Sequence, residues 1–378
     1  MTVTLIPKTP EIYRPFADPV SLARVFSEQP PPVPWLIKER VQLGRGGLLT
    51  GLGGTSKTRL LYHLAFGSTL GYLPWNWSVE KTGKAVLVLT EDTPDDVHRC
   101  MYQIGEQSGL NRDEQRAVTE NVIVFALAGM DTLFLARNER RALSKTPNFQ
   151  DLQTVIDALG DVVFVGIDPA LSITEGDESS QADQRALGKM ADDLAIATGA
   201  TVLMASHSPK GSQHVEELAS HNSRGGGAIT DAVRMEFSMR SMTADEAQKA
   251  RIVDLEERRR HVQLVATKGN HIPPAAFVPV WLRRGDHGVL KAADVSFDDT
   301  ETMGPQDDAA LNVLRDMALD KTPRLDDWRE RCVAEGILRQ KAVDAQRKAM
   351  SRIVGRLQSA GLIERGFGRG FYQPVTNQ

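Results

Sequence analysis

The chain has 378 residues, 41% hydrophobic and 25% charged, which excludes a small single module and gives about two or three domains of ordinary soluble composition. No apolar run approaches the roughly 18 residues of a membrane span, and no basic start with an apolar stretch and cleavage site marks the N-terminus, so a cytoplasmic protein without a membrane partner is expected. A formal net charge of −4 gives no global footprint for nucleic acid and confines any such contact to local basic surface or a channel.

Residues 1–34 are Pro-rich, with the run Gln29-Pro30-Pro31-Pro32-Val33-Pro34 and little periodicity beyond Val20–Phe26, and read as an arm. From Leu48 onward, Leu48–Thr50, Ala85–Thr90, Val122–Leu127, Val162–Ile167 and Thr201–Ala205 are short apolar runs separated by helical patterns. That alternation predicts an α/β fold, a mainly parallel sheet covered by helices on both faces. After Gly227, the runs Asp231–Arg240, His261–Thr267, Phe277–Arg283 and Val289–Leu290 succeed one another without full helical crossovers and predict an antiparallel extension. The two cysteines, Cys100 and Cys332, are far apart without metal-ligand spacing and read as reduced thiols.

Gly51-Leu52-Gly53-Gly54-Thr55-Ser56-Lys57-Thr58 comes directly after the first strand and opens the helical run Arg59–Leu70, the context of a P-loop. Its backbone N–H groups would converge on phosphate oxygens, Lys57 would reach the β- and γ-phosphates, and Thr58 would offer a hydroxyl to Mg²⁺. Ser56 stands where a glycine normally precedes the lysine, which restricts the turn. A glycine-rich loop with no ligand is the bland alternative.

Leu89-Thr90-Glu91-Asp92 places two acids at the carboxyl edge of the sheet, where ligands bind in open parallel folds. Glu91 is the candidate general base that polarises an attacking water, while Asp92 or Thr93 takes the helix-capping role. Asp168 ends the apolar run Val162–Ile167 as a Walker B acid holding the Mg²⁺ shell through water. His207 emerges on the same edge, as a γ-phosphate sensor or as a satisfied structural histidine.

These residues resemble the RepA-type plasmid replicative helicases over roughly residues 35–291. The markers are Trp35-Leu36, the P-loop, Leu89-Thr90-Glu91-Asp92, the Walker B strand, Ser206-His207-Ser208-Pro209-Lys210-Gly211, Ser223-Arg224-Gly225, and the segment from Trp281 to Leu290. The resemblance implies a RecA-like ATPase ring, a homo-hexamer with ATP sites between subunits, acting on single-stranded DNA with a replication initiator or primase as possible partner. It also implies that Arg234 is an arginine finger reaching the neighbour's site, with Lys268 a second trans candidate, and that His207 couples nucleotide state to a DNA-facing loop. Of the two polar segments that would line a channel, Thr174–Gln184 is acidic, so Lys210–Arg224, including Lys210 and Arg224, is preferred for DNA.

Residues 35–296 are thus the expected ATPase domain, and 297–308 an acidic linker with Gly304-Pro305. The remainder, 309–378, reads as a winged helix-turn-helix: helices over Asp307–Leu319, Leu325–Glu335 and Gln340–Ala360, then a hairpin of Leu362–Arg365 and Phe371–Gln373. Lys341, Arg347, Lys348, Arg352 and Arg356 share the last helix, and Arg365 and Arg369 flank the hairpin with Phe367 at its tip, a basic surface suited to duplex DNA or to a neighbouring protein. Three functions are compatible with these features: an ATP-driven helicase or translocase of a plasmid, phage or mobile element; a nucleotide-switched DNA-binding initiator or regulator; and a recombination or repair ATPase.

Overall fold

The architecture is that of a computed structural model, which describes residues 22, 25–207, 227–297, 304–319, 322–340, 342–366 and 370–375. In chain order the elements are β1 (Trp35–Ile37), β2 (Val41–Gln42), β3 (Gly46–Gly51), α1 (Lys57–Leu70), β4 (Lys84–Leu89), α2 (Pro94–Ser108), α3 (Arg112–Asn121), β5 (Val122–Ala126), β6 (Leu135–Arg137), β7 (Leu143–Lys145) and α4 (Pro147–Leu159). Then come β8 (Val162–Asp168), α5 (Gln181–Thr198), β9 (Thr201–His207), α6 (Ala228–Ala232), β10 (Met235–Ser241), α7 (Ala244–Lys249), α8 (Leu255–Arg260), β11 (His261–Gly269), β12 (Val280–Arg284) and β13 (Leu290–Ala292). The chain finishes with α9 (Pro305–Ala318), α10 (Leu325–Ala334), α11 (Val343–Ser359), β14 (Ile363–Arg365) and β15 (Tyr372–Pro374).

Nine strands form one sheet in the order β13-β12-β11-β10-β3-β9-β8-β4-β5, and the pairings from β10 through β5 are parallel. Successive strand residues face opposite sides, so a strand buried on both faces must be apolar throughout. Leu49, Leu87, Leu89 and Phe164 accordingly enter one core with α1, while Leu48, Val86, Val88, Val165 and Ile167 enter another with α4 and α5. Local signals end and start the helices. Thr93 and Asn111 begin α2 and α3 with reciprocal capping boxes to Asp96 and Glu114; Gly71, Gly109 and Gly199 close α1, α2 and α5 in the left-handed region.

One sequence expectation is refined and one is corrected. β10 pairs with β3 in parallel, with Met235 opposite Gly47, while on its other side β11 runs antiparallel to it, the Asn270 N–H donating to the Arg234 carbonyl and the Met242 N–H to the His261 carbonyl; the antiparallel extension thus begins at the β10–β11 pair and continues through β12 and β13. The polar stretch Thr174–Gln184 is not a long open loop. A 3-10 turn over Ala170–Ile173 precedes it, Thr174 bridges to Leu135, and α5 begins at Gln181. Arg137 from β6 pairs with Asp183 at 2.6 Å, so this segment is tied to the β6–β7 hairpin.

Inside the first core, His63 of α1 accepts a hydrogen bond from the Leu290 N–H at 3.0 Å and meets Trp75 edge to face at 5.8 Å. Burial, with Arg59 adding to it, pulls its pKa down to about 3. An unfolded histidine titrates near 6.5, so between those values the unfolded chain holds the extra proton and stability falls as pH drops. We expect His63→Gln, which keeps an acceptor, to remove on the order of 3 kcal/mol of this acid sensitivity by pH 4. Denaturant titrations across pH 4–7 check it, and parallel pH slopes for the two proteins would contradict it.

The chain divides into two compact units, 1–240 with 262–292, and 241–261 with 293–378. In the second, three helices are followed by the antiparallel pair β14–β15, with Arg365 opposite Tyr372. Its core gathers Leu311, Leu314, Trp328, Met350, Ile353 and Leu357, and the Trp328 indole N–H donates to the Ala310 carbonyl at 2.8 Å. Arg356, expected on a DNA-facing surface, instead donates to both carboxylate oxygens of Asp307, at 2.7–3.0 Å, and Asp307 is only 2% exposed. Removing one partner of a buried ion pair strands the other charge, so Arg356→Ala should destabilise this unit by about 3 kcal/mol. Chemical unfolding of the full chain followed by Trp328 fluorescence would read it; a loss below about 1 kcal/mol would refute the pairing's importance.

Candidate nucleotide site

Strand register assembles the site. Gly51 at the end of β3 lies beside His207 at the end of β9, and Leu89 at the end of β4 lies beside Asp168 at the end of β8. The carboxyl ends of β3, β4, β8 and β9 thus form one edge, the location where ligands bind in open parallel sheets. The Thr90 N–H donates to the Asp168 carbonyl at 3.0 Å, which locks β4 to β8 just before Glu91.

From that edge the loop Gly51–Ser56 arches into α1. A Cβ on Gly51 would lie 2.5 Å from the Met239 carbonyl oxygen, so only glycine fits there. Gly54 has φ +75, a left-handed conformation that glycine adopts freely. Ser56 also sits in the left-handed region, at φ 73 and ψ 28, as the N-cap of α1. A non-glycine residue there costs about 1 kcal/mol or more, which is the physical content of the missing glycine noted in the sequence.

Lys57 folds back under the arch, its Nζ donating to the carbonyls of Gly51 at 2.8 Å and Leu52 at 3.0 Å. The Thr58 hydroxyl donates to Asp168 Oδ2. Thr55 Oγ1 donates to the Leu52 carbonyl at 2.8 Å and braces the arch. Burial lowers the Lys57 pKa, against the pull of Asp168, and raises the Asp168 carboxyl despite the Thr58 hydrogen bond, Lys57 and His207. Each group is thus desolvated on its own terms. An anion at Lys57 and a cation at Asp168 would each favour the charged form.

Asp92 is half-buried, and burial, then Asp168 and Asp96, raise its carboxyl while Arg59 opposes the rise. Thr93, not Asp92, caps α2, whereas Glu91 is exposed at the mouth of the edge. His207 comes close to the arch: a Cβ on Gly53 would lie 4.0 Å from its Cε1. Among the described residues no cluster of three His, Cys, Asp or Glu side chains is built to hold a metal alone. The hydroxyl of Thr58 and the carboxylate of Asp168 are hard oxygen donors, the sparse protein set that suits Mg²⁺ shared with water and phosphate.

The structure thus brings together Gly51, Gly53, Gly54, Thr55, Ser56, Lys57, Thr58, Asp168 and His207, with Glu91 at the rim. Arg234 and Lys268 lie elsewhere. The Arg234 N–H donates to the Gly46 carbonyl, five residues before Gly51 and so roughly 16 Å away along the strand. Its guanidinium faces Asp192 at 3.8 Å. Lys268 Nζ donates to the carbonyls of Thr230, at 2.7 Å, and Asp231, near the same far edge. Lys210 and Arg224, with their loop, and Lys341, Phe367 and Arg369 lie outside the described residues. Arg347, Lys348 and Arg352 are exposed on α11, and Arg347 sits 3.8 Å from Asp344.

Sequence reasoning missed one contact. Arg284, at the end of β12, donates from Nη1 to the Gly54 carbonyl at 2.7 Å. Its only sequence signal was membership of the Trp281–Leu290 segment. Both thiols, Cys100 and Cys332, are buried and pushed up to about 12 by desolvation, which leaves them unreactive at neutral pH.

Among known proteins, the family described as the AAA domain matches residues 9–213, the span that holds the arch, Glu91, Asp168 and His207. A crystal structure of the RadB recombinase is similar with a TM-score of 0.41, at 15% identity over 67% of this chain and 93% of that one.

Proposed function

The chain belongs to the AAA domain family and is a RecA-like P-loop ATPase, and on that premise we propose that it is an ATP-driven helicase or translocase of the RepA-like type, working on DNA in the replication of a plasmid, phage or mobile element. The observation that carries the ATP reading is the convergence of Lys57, Thr58 and Asp168 at one sheet edge. Lys57 would bind the β- and γ-phosphates, the Gly51–Thr58 amides would orient them, and Thr58 and Asp168 would hold the Mg²⁺ shell. When bound, the metal supplies neutralisation of charge on the phosphate oxygens. Glu91, free of the capping duty that falls to Thr93, would accept a proton from the attacking water. His207, beside Gly53, would register whether a γ-phosphate is present.

Arg234 and Lys268 suit a role in trans. A ring built head to tail sets one surface of a subunit against a different surface of the next, so cations remote from their own loop are available to a neighbour's phosphates. Single-stranded DNA would pass through the ring. The second unit, with Arg347, Lys348 and Arg352 exposed on α11, would act as a winged helix-turn-helix that meets duplex DNA, an initiator or a primase.

ATP hydrolysis is expected to rise on adding single-stranded DNA, and a forked duplex to be separated under ATP. Equal slow turnover with and without every nucleic acid would end the motor reading. A second reading, a nucleotide-switched initiator or regulator, draws on the strained Ser56 turn. It predicts tight sequence-specific duplex binding by the full chain with no strand separation. A recombination ATPase would instead form filaments on DNA.

A further inference from the structure

The contact from Arg284 to the nucleotide loop joins distant parts of the chain. β12 is separated from β3 in the sheet by β11 and β10, yet Arg284 Nη1 reaches the Gly54 carbonyl at 2.7 Å. The turn after Arg284, residues 285–290, is pinned on several sides. The Gly285 N–H donates to the Val289 carbonyl at 2.7 Å, Gln107 of α2 donates to the Asp286 carbonyl at 2.7 Å, and the Leu290 N–H is held by His63 of α1 at 3.0 Å. Gly288 packs beside Arg59, where an added Cβ would lie 3.7 Å from Nε. The guanidinium is therefore presented from a braced turn.

The arch needs such a brace more than an ordinary phosphate loop does. Ser56, two residues after Gly54, holds φ 73, which a serine adopts only against steric resistance. Its dihedrals set where the N–H groups of Lys57 and Thr58 point. Were Ser56 to relax toward its preferred right-handed or extended regions, those donors would turn away from a bound phosphate. A glycine at this position would need no help.

We propose that Arg284 is a positioning residue for nucleotide binding, which holds the left-handed turn at Ser56 in place by gripping the Gly54 carbonyl. The inference rests on the nucleotide-site reading above and adds to it a distant residue coupled to the one departure in the loop. A charged donor strengthens the bond over a neutral one. The pairing of Arg284 with Ser56 is therefore energetic, although the two side chains have no need to touch.

The test is a double-mutant cycle on the full chain with Arg284→Ala, Ser56→Gly and both together, read by fluorescence titration with a methylanthraniloyl-labelled ATP and Mg²⁺. Arg284→Ala is expected to weaken binding by about tenfold beside Ser56 and by less than about threefold beside Gly at that position. KM for ATP should rise more than kcat falls, and Arg284→Lys, which keeps a charged donor, should recover part of the loss. Equal losses in the two backgrounds, or no loss in either, would overturn the proposal. Amide exchange over residues 51–58 without nucleotide separates this from the underlying reading. If exchange is faster in Arg284→Ala while the parent chain binds no nucleotide, the brace stands and the nucleotide role falls; if exchange is unchanged, the brace itself is wrong.

Discussion

Lys57→Ala is expected to weaken ATP binding by roughly 100-fold, about 3 kcal/mol, and to abolish measurable turnover at ordinary ATP concentrations. The ammonium lies under the arch on the carbonyls of Gly51 and Leu52, largely out of water, and its lowered pKa records the cost of holding a charge there. Only an anion brought to the loop repays that desolvation, so the loss should fall on nucleotide binding and not on folding. The thermal midpoint without nucleotide should stay close to that of the parent, since removing a desolvated cation relieves as much as the two lost hydrogen bonds contribute. Calorimetric titration with a non-hydrolysable ATP analogue distinguishes these outcomes. Unchanged affinity would remove Lys57 from the phosphate site.

Glu91→Gln should divide binding from chemistry. Affinity for ATP is expected to stay within about threefold, while kcat falls by roughly 10²–10⁴, the range of a lost general base. Position singles out Glu91. Leu89 is in register with Asp168, the Thr90 N–H fastens β4 to β8, and Glu91 is the next residue, exposed at the edge where an attacking water would stand. Asp92 is the natural competitor, since burial and its acidic neighbours raise its carboxyl and so strengthen it as a base, whereas Glu91 is the one of the two that stands exposed at the edge. Single-turnover kinetics on Glu91→Gln and Asp92→Asn compare them directly. Should Glu91→Gln turn over within about tenfold of the parent while Asp92→Asn does not, the base is Asp92.

The parts of the site legible in the sequence were those written in consecutive residues. The apolar runs of β3, β4, β8 and β9 each end in the residue that reaches the edge, Gly51, Leu89, Asp168 and His207, and a parallel sheet brings such ends together whatever the loops do. That β10 lies parallel to β3 before the sheet turns antiparallel at β11 was not legible. A count that starts at Gly227 hides that the connection from β9 to β10 includes residues 208–226, ample chain for a crossover to the far side of β3. The short pair β6–β7 was also missed, because three-residue strands carry no measurable period.

Side-chain partnerships across long separations stayed hidden for a different reason. Arg356 looks like one more cation on a basic helix until Asp307, 49 residues earlier, is found against it. Arg284 and Gly54 are 230 residues apart, and no local pattern announces a guanidinium on a loop carbonyl. Ser56 lies between these cases: the departure from glycine is visible in the sequence, but its positive φ and the resulting strain belong to the fold.

A crystal structure of the full chain with Mg²⁺ and a non-hydrolysable ATP analogue tests the central claim most directly. The account predicts the β-phosphate inside the Gly51–Thr58 arch, Lys57 Nζ turned from the loop carbonyls to phosphate oxygens, and the metal beside Thr58 and Asp168. Nucleotide bound at another edge of the sheet, or an arch still filled by its own lysine at saturating analogue, would contradict it.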